Sequence, residues 1–123
     1  MRVPGFLARQ FIVPGSLRNT STGFSVGAQN PIGDGMLVGI GRIRIDGVDV
    51  EPAAITATRA GEDAVYRAID VSRSAPVVFR KGDQVTFHVA GLALDPGDHQ
   101  LEVELVELNI GQVTISLTER SND

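Results

Sequence analysis

The sequence predicts an all-β protein built as a single antiparallel β-sandwich, of jelly-roll or small-barrel type, with about eight short strands and one long glycine-rich loop. Three observations predict this fold. Apolar and polar side chains alternate along several short segments, turn motifs recur at intervals of about ten residues, and the 123 residues include 14 Gly and 6 Pro. A chain of this length supports one core, so we expect one domain over residues 1–123, with residues 1–7 and 119–123 at its periphery or frayed.

The glycine-rich segment from Gly23 to Gly41 contains the predicted loop. It holds six glycines together with Asn30-Pro31. Glycine and proline both weaken a regular strand interior, so we expect the middle of this segment, Gln29 to Met36, to form a long loop.

A tight hairpin is predicted directly after this segment. Arg and Ile alternate over residues 42–45, Asp46-Gly47 follows, and the alternation resumes over residues 48–50. An Asp-Gly pair between two such runs is typical of a two-residue hairpin turn. The acids at positions 46, 49 and 51 do not have the spacing of a calcium loop, because the glycine comes second.

The second half of the chain continues the alternating pattern. Residues 62–69 suit either an extended segment or one short helical turn. Strands are predicted around residues 85–89, 101–105 and 113–117, and turns at residues 81–83, 95–98 and 109–111, where Gly or Pro-Gly occurs.

The composition argues against several classes of function. The chain has no Cys, two His and a net charge of −4, which disfavours thiol chemistry, a metal site built by this chain alone, and a nucleic-acid-binding surface. No run of about 20 apolar residues could span a bilayer, and the first residues do not form a signal peptide, so we expect a cytoplasmic protein. We expect no catalytic residue and no bound cofactor in this chain.

The two histidines have ordinary structural roles in this interpretation. His88 lies on the polar face of a predicted strand beside Thr86, so we expect it to face solvent or an interface. His99 follows the Pro96-Gly97-Asp98 turn, and we expect its ring to hydrogen-bond the backbone of that turn.

Several short segments follow one another in a distinctive order: Leu17-Arg18-Asn19, Gly23-Phe24, a Pro-containing loop, Ile43-Arg44-Ile45-Asp46-Gly47, Gly91-Leu92 and the run from Asp95 to Val103. In this order and spacing they resemble the β subunit of bacterial C-glycoside deglycosidases, over roughly Leu17 to Thr118. The resemblance implies a small β-sandwich subunit bound to a larger α subunit that is similar to sugar isomerases, with a barrel of parallel strands.

The resemblance also implies a reaction. The two subunits would cleave the carbon–carbon bond between a 3-oxo sugar and an aromatic aglycone by forming an enolate and eliminating the aryl group. The divalent metal, with Mn²⁺ expected, and the main acid and base groups would reside on the α subunit. We expect a cytoplasmic hetero-oligomer such as αβ, α2β2 or larger, with no nucleic acid and no membrane as partner.

The predicted loop is the candidate site of contact with the partner. Relatives tend to carry a Tyr-Arg-Gly type segment here, and this chain does not. Because long loops with apolar tips often carry function, we expect the loop to face the α subunit or the mouth of its site through Asn30, Pro31, Ile32, Asp34 and Met36.

Two alternatives remain open: a stand-alone β-sandwich module that binds a carbohydrate or similar ligand, and a structural oligomerisation domain. A partner-binding subunit should expose apolar residues that lie outside the strict alternation, and the candidates are Phe11, Ile12, Met36, Leu37 and Leu108. The competing interpretation is that these residues fill the two ends of the sandwich.

Overall fold

The computed structural model describes residues 1–121. Its regular elements are α1 (Gly5–Phe11), β1 (Arg18–Asn19), β2 (Gly23–Gln29), β3 (Gly35–Ile45), β4 (Val48–Val50), β5 (Ile55–Arg59), β6 (Val65–Arg67), β7 (Val77–Phe79), β8 (Gln84–Ala90), β9 (Gly97–Glu107) and β10 (Gly111–Ser121). Single 3-10 turns occupy Pro52–Ala54 and Ala68–Asp70. The all-β prediction is confirmed, although the described residues form ten strands rather than about eight.

The strands form two open antiparallel sheets. Sheet 1 has the order β1-β2-β8-β5-β6, and sheet 2 has the order β10-β9-β3-β4 with β7 also paired to β3. The longest pairing joins β9 and β10 over 11 residue pairs, from Gly111 opposite Glu107 to Ser121 opposite Gly97. The sheets form a sandwich and do not close into a barrel.

The core lies between the two sheets. Alternate residues of the strands point inward and are buried, including Val26 of β2, Phe87 of β8, Ile43 of β3 and Val103 of β9. This is the arrangement that period-two alternation predicts for two sheets that share one apolar interior.

β3 departs from strict alternation because it contains two bulges. Its buried residues are Leu37, Ile40, Ile43 and Ile45, and its register against β9 shifts between Leu37 and Gly39 and again between Ile40 and Ile43. An extra residue in one strand displaces the inward positions, so alternation in the sequence is visible only at the end of this strand.

The long loop is shorter than predicted. Gln29 ends β2 and Gly35 begins β3, so the loop comprises residues 30–34, and Met36 belongs to β3. Most glycines of this segment lie in strands, where they permit close packing. A Cβ on Gly23 would stand 1.9 Å from the carbonyl oxygen of Val89, and one on Gly39 would stand 3.1 Å from the Val106 side chain.

The two termini are more ordered than predicted. Val3 is buried, its amide donates to the Thr114 carbonyl, and α1 follows at Gly5. Glu119 to Ser121 belong to β10, and residues 122 and 123 of the predicted frayed tail lie outside the described residues. The helix was missed although Ala8 and Phe11, three residues apart, are both buried on one face.

The predicted turns define two ends of the sandwich. Asp46 and Gly47 both have positive φ, at 50° and 81°, so the Asp-Gly hairpin is confirmed as a type I′ turn. This turn lies at the same end as residues 91–99, which we name the clasp end. The loop of residues 30–34 and the turns of residues 80–83 and 107–111 lie at the opposite end, which we name the pocket end.

Candidate functional site

The pocket end carries a cavity lined largely by apolar side chains. Its volume is about 120 Å³, and its apolar lining includes Phe11, Leu37, Phe79, Leu105, Val113 and Ile115. Apolar cavities of roughly 150 Å³ are large enough for benzene. The pocket therefore has room for one apolar side chain of moderate size.

Asn30 fixes the loop that forms one wall of this pocket. Its side-chain nitrogen donates to the carbonyls of Gly33, at 2.5 Å, and Phe79, at 2.7 Å, and its side-chain oxygen accepts from the amides of Ile32 and Gly33. Asn30 is buried, so these bonds are shielded from water and hold the loop in one conformation.

Glu107 fixes the opposite wall. One carboxylate oxygen accepts from the amide of Met36 at 3.1 Å, and the other accepts from the amides of Asn109 and Ile110 at 2.9 and 3.0 Å. Burial alone would raise the pKa of Glu107, but these backbone donors hold it below its usual range. The carboxylate thus stays ionised and ties the start of β3 to the β9–β10 turn.

The neighbouring turn of residues 80–83 is also held by a carboxylate. Asp83 accepts from the Arg59 guanidinium at 2.6 Å and from the Arg80 amide at 2.8 Å, and these bonds lower the pKa of Asp83. The backbone amide of Asn30 donates to the Asp83 carbonyl. The loop and this turn therefore form one rigid rim.

Exposed apolar side chains surround the mouth of the pocket. Ile32 and Ile110 line it and are 52% and 51% exposed, and Met1 also lines it and is exposed. Met36 and Leu108 are exposed and line a second, adjoining pocket that shares Glu107 with the first. Exposed apolar side chains beside an apolar pocket are typical of a surface that binds another molecule.

The predicted site residues divide between these features. Asn30, Ile32 and Asp34 line the first pocket, and Asp34 also lines the adjoining one, where Met36 lies. Pro31 is half-buried in the loop and is not among the residues that line either pocket.

The apolar residues proposed as exposed also divide. Met36 and Leu108 are exposed, whereas Phe11, Ile12 and Leu37 are buried. The competing interpretation, in which such residues fill an end of the sandwich, is therefore correct for these three.

The clasp end is closed by a charged pair. His99 is buried, its Nδ1 lies 2.5 Å from Asp46 Oδ2, and its Nε2 lies 2.7 Å from the Asp95 carbonyl oxygen. A neutral imidazole has one N–H donor, so two acceptors favour the protonated ring. The Asp46 carboxylate and the Asp95 carbonyl raise the pKa of His99, and the His99 ring in turn lowers the pKa of Asp46. The predicted bond from His99 to the turn backbone is confirmed, and Asp46 is a partner that the sequence did not indicate.

Within residues 1–121, no three His, Asp or Glu side chains form a group that could hold a metal ion. No helix in this part of the chain is long and apolar enough to span a membrane.

A family model covers nearly all of the chain. Residues 7–120 match the model described as hydroxymethylglutaryl-CoA reductase, N-terminal domain. The chain belongs to this family. No curated protein sequence matches the chain.

Membership of the hydroxymethylglutaryl-CoA reductase N-terminal domain family corrects the earlier identification. The resemblance to a C-glycoside deglycosidase β subunit is wrong, because the matched family is a different one and spans the same residues. In the structure, the segments that carried the resemblance are the edge strand β1, the start of β2, the β3–β4 hairpin and the turn that leads into β9.

The sequence indicates Asn30 as a site residue but not its role in holding the loop, although Asn followed two and three residues later by free backbone amides is typical of an Asx turn. Glu107 was not named, and its position just before Asn109-Ile110-Gly111 is a weak signal for a carboxylate that accepts from turn amides.

Proposed function

We propose that this chain is a non-catalytic accessory domain that binds a larger catalytic polypeptide through its pocket end. The observation that carries the proposal is the apolar pocket of about 120 Å³ with exposed Ile32 and Ile110 at its mouth. An interface core is typically apolar, well packed and centred on one or two inserted side chains. The pocket offers a place for such a side chain.

The rigidity of the rim supports a role in binding. Asn30 and Glu107 hold opposite walls through bonds to backbone groups, so the pocket exists before the partner arrives. A preformed site loses less conformational entropy on binding than a mobile one. The apolar lining favours a polypeptide side chain over a sugar, whose hydroxyl groups would find few hydrogen-bond partners there.

The family description supplies the candidate partner. The matched family is described as the N-terminal domain of hydroxymethylglutaryl-CoA reductase, so we infer that the catalytic part of such a reductase carries the side chain that enters the pocket. In this account the chain contributes stability and positioning, and the reacting groups belong to the catalytic part.

The test is complex formation with the reductase catalytic polypeptide of the same organism, measured by sedimentation of the mixed chains. The wild-type chain and an Ile69→Asp variant should form the complex, whereas Ile110→Asp should weaken it at least tenfold. Ile69 and Ile110 are the same residue type and are both 51% exposed, but Ile69 does not line the pocket.

Thermal unfolding of both variants gives the folding control, since substitution of an exposed side chain should change stability little. The proposal is wrong if the wild-type chain forms no complex, or if the two aspartate variants weaken it equally.

A further inference from the structure

The outer face of sheet 1 differs in charge from the outer face of sheet 2. On sheet 2, the exposed arginines are paired: Arg42 lies 3.3 Å from both Asp49 and Glu104, and Arg44 lies 2.6 Å from Asp49. On sheet 1, Arg18 has no carboxylate partner within residues 1–121, and Arg67 has a single one, Asp70, at 3.7 Å. Although the protein has a net negative charge, the outer face of sheet 1 therefore carries two arginines whose charges are little neutralised by neighbouring carboxylates.

Strand register places these two arginines in one line. Directly opposed residues share a face of a sheet, and the pairs Arg18–Ser25, Ser25–His88, His88–Thr56 and Thr56–Arg67 run in sequence across β1, β2, β8, β5 and β6. We name these five residues, Arg18, Ser25, His88, Thr56 and Arg67, the polar row. Between the two guanidinium groups, its centre carries the hydroxyl of Thr56 and the imidazole of His88, which are half-buried, and the hydroxyl of Ser25, which is buried.

The row of opposed residues beside the polar row also lacks carboxylates. Gly27, Thr86, Thr58 and Val65 are opposed in the same way across four of these strands, so neither row contains a carboxylate. The Thr58 hydroxyl lies 3.1 Å from His88 Nε2 and orients the ring. Nδ1 of His88 has no hydrogen-bond partner among the residues that the structure describes.

The spacing of the row fits a small anion. Neighbouring strands lie about 4.8 Å apart, so the three central residues span about 10 Å, and the arginine at either end has a long side chain that can reach inward over them. Guanidinium groups bind phosphate oxygens with paired N–H donors, and hydroxyl and imidazole groups supply further bonds.

We propose that the polar row is a binding site for the phosphate group of a small molecule. A nucleic acid is the less suitable ligand, because the net charge is −4 and backbone binding along a strand needs a broader basic surface.

The test uses inorganic pyrophosphate as the probe and the isotope-labelled full chain. Titration followed by NMR should shift the signals of Ser25, His88 and Thr56 along a saturable curve with a dissociation constant in the millimolar range or tighter. Sodium chloride at matched ionic strength should leave these signals in place.

The matched variants are Arg67→Ala and Arg120→Ala. Each arginine is largely exposed and pairs with one aspartate at 3.7 Å, but Arg120 lies on sheet 2. Arg18→Ala combined with Arg67→Ala should weaken binding at least tenfold, and Arg120→Ala should not change it. The proposal is overturned if no saturable shift occurs, if salt alone reproduces it, or if the double variant binds as tightly as the wild type.

Discussion

The two ends of the sandwich are closed by different kinds of interaction. At the pocket end, Asn30 and Glu107 bind backbone groups of loops and turns, and an apolar pocket remains open between them. At the clasp end, His99 and Asp46 bind each other, and each also binds a backbone group, the Asp95 carbonyl and the Gln100 amide. The difference lies in how the anchoring side chains are arranged: Asn30 and Glu107 hold separate walls with a cavity between them, whereas His99 and Asp46 meet and join the β3–β4 turn to the start of β9.

The largest loss of stability is expected when the wall that Asn30 holds is disrupted. Asn30→Ala removes four hydrogen bonds at a buried position and leaves the Phe79 carbonyl without its donor, so we expect a loss of about 2–3 kcal/mol of stability. Chemical denaturation measures this. Asn109→Ala is the control, because within residues 1–121 the Asn109 side chain makes no hydrogen bond and its backbone amide does, and it should cost less than about 0.5 kcal/mol. Equal losses would show that the Asn30 side chain does not hold the loop.

A smaller effect is expected at Glu107. Glu107→Gln keeps the size of the side chain but weakens the bonds to the amides of Met36, Asn109 and Ile110, so we expect a loss of about 1–2 kcal/mol. The control is Glu104→Gln, three residues earlier in β9, whose exposed ion pair with Arg42 contributes little. If the two variants unfold at the same denaturant concentration, the account of this wall is wrong.

The clasp end should respond to pH. The pKa of His99 is raised in the fold. Its contribution to stability is therefore full below the pKa of about 6.5 in the unfolded chain, and it is lost as the pH rises through the pKa in the folded state. The pKa of Asp46 is lowered, so its contribution is present above about 3.9 and is lost as the pH falls through its folded value. The His99–Asp46 pair should therefore stabilise the fold most between about pH 4 and 6.5.

Asp46→Asn tests this pH dependence and keeps a residue that tolerates positive φ in the turn. We expect it to cost about 1 kcal/mol near pH 6 and less at higher pH, as measured by unfolding at several pH values. His88→Gln leaves the His99–Asp46 pair intact, so its stability should fall with rising pH as in the wild type. If the stability of Asp46→Asn falls just as steeply, the pH dependence does not arise from His99.

The sequence predicted the parts of the fold that depend on local chemistry. Alternation located the strands around Phe87, Val103 and Ile115, and Asp46-Gly47 located the hairpin, because both signals arise from neighbouring residues. The bulges of β3 and the true length of the loop depend on pairing with β9, which lies some 60 residues later in the chain. No local pattern reports such a pairing.

The site was predicted only in part for the same reason. Gly and Pro around Asn30 marked the loop, and Ile32 and Asp34 do line the pocket. Its floor comes from Phe79, Leu105 and Ile115, which lie on three strands of sheet 2 and meet only when that sheet assembles. In the sequence, these residues are typical core positions of three separate strands.

The most direct test of the central claim is hydrogen–deuterium exchange of the chain, free and in complex with the reductase catalytic polypeptide. The account predicts slower exchange on binding at residues 30–36 and 107–111, with residues 46–49 and 91–99 at the clasp end unchanged. Protection confined to the clasp end, or equal protection at both ends, would contradict docking through the pocket.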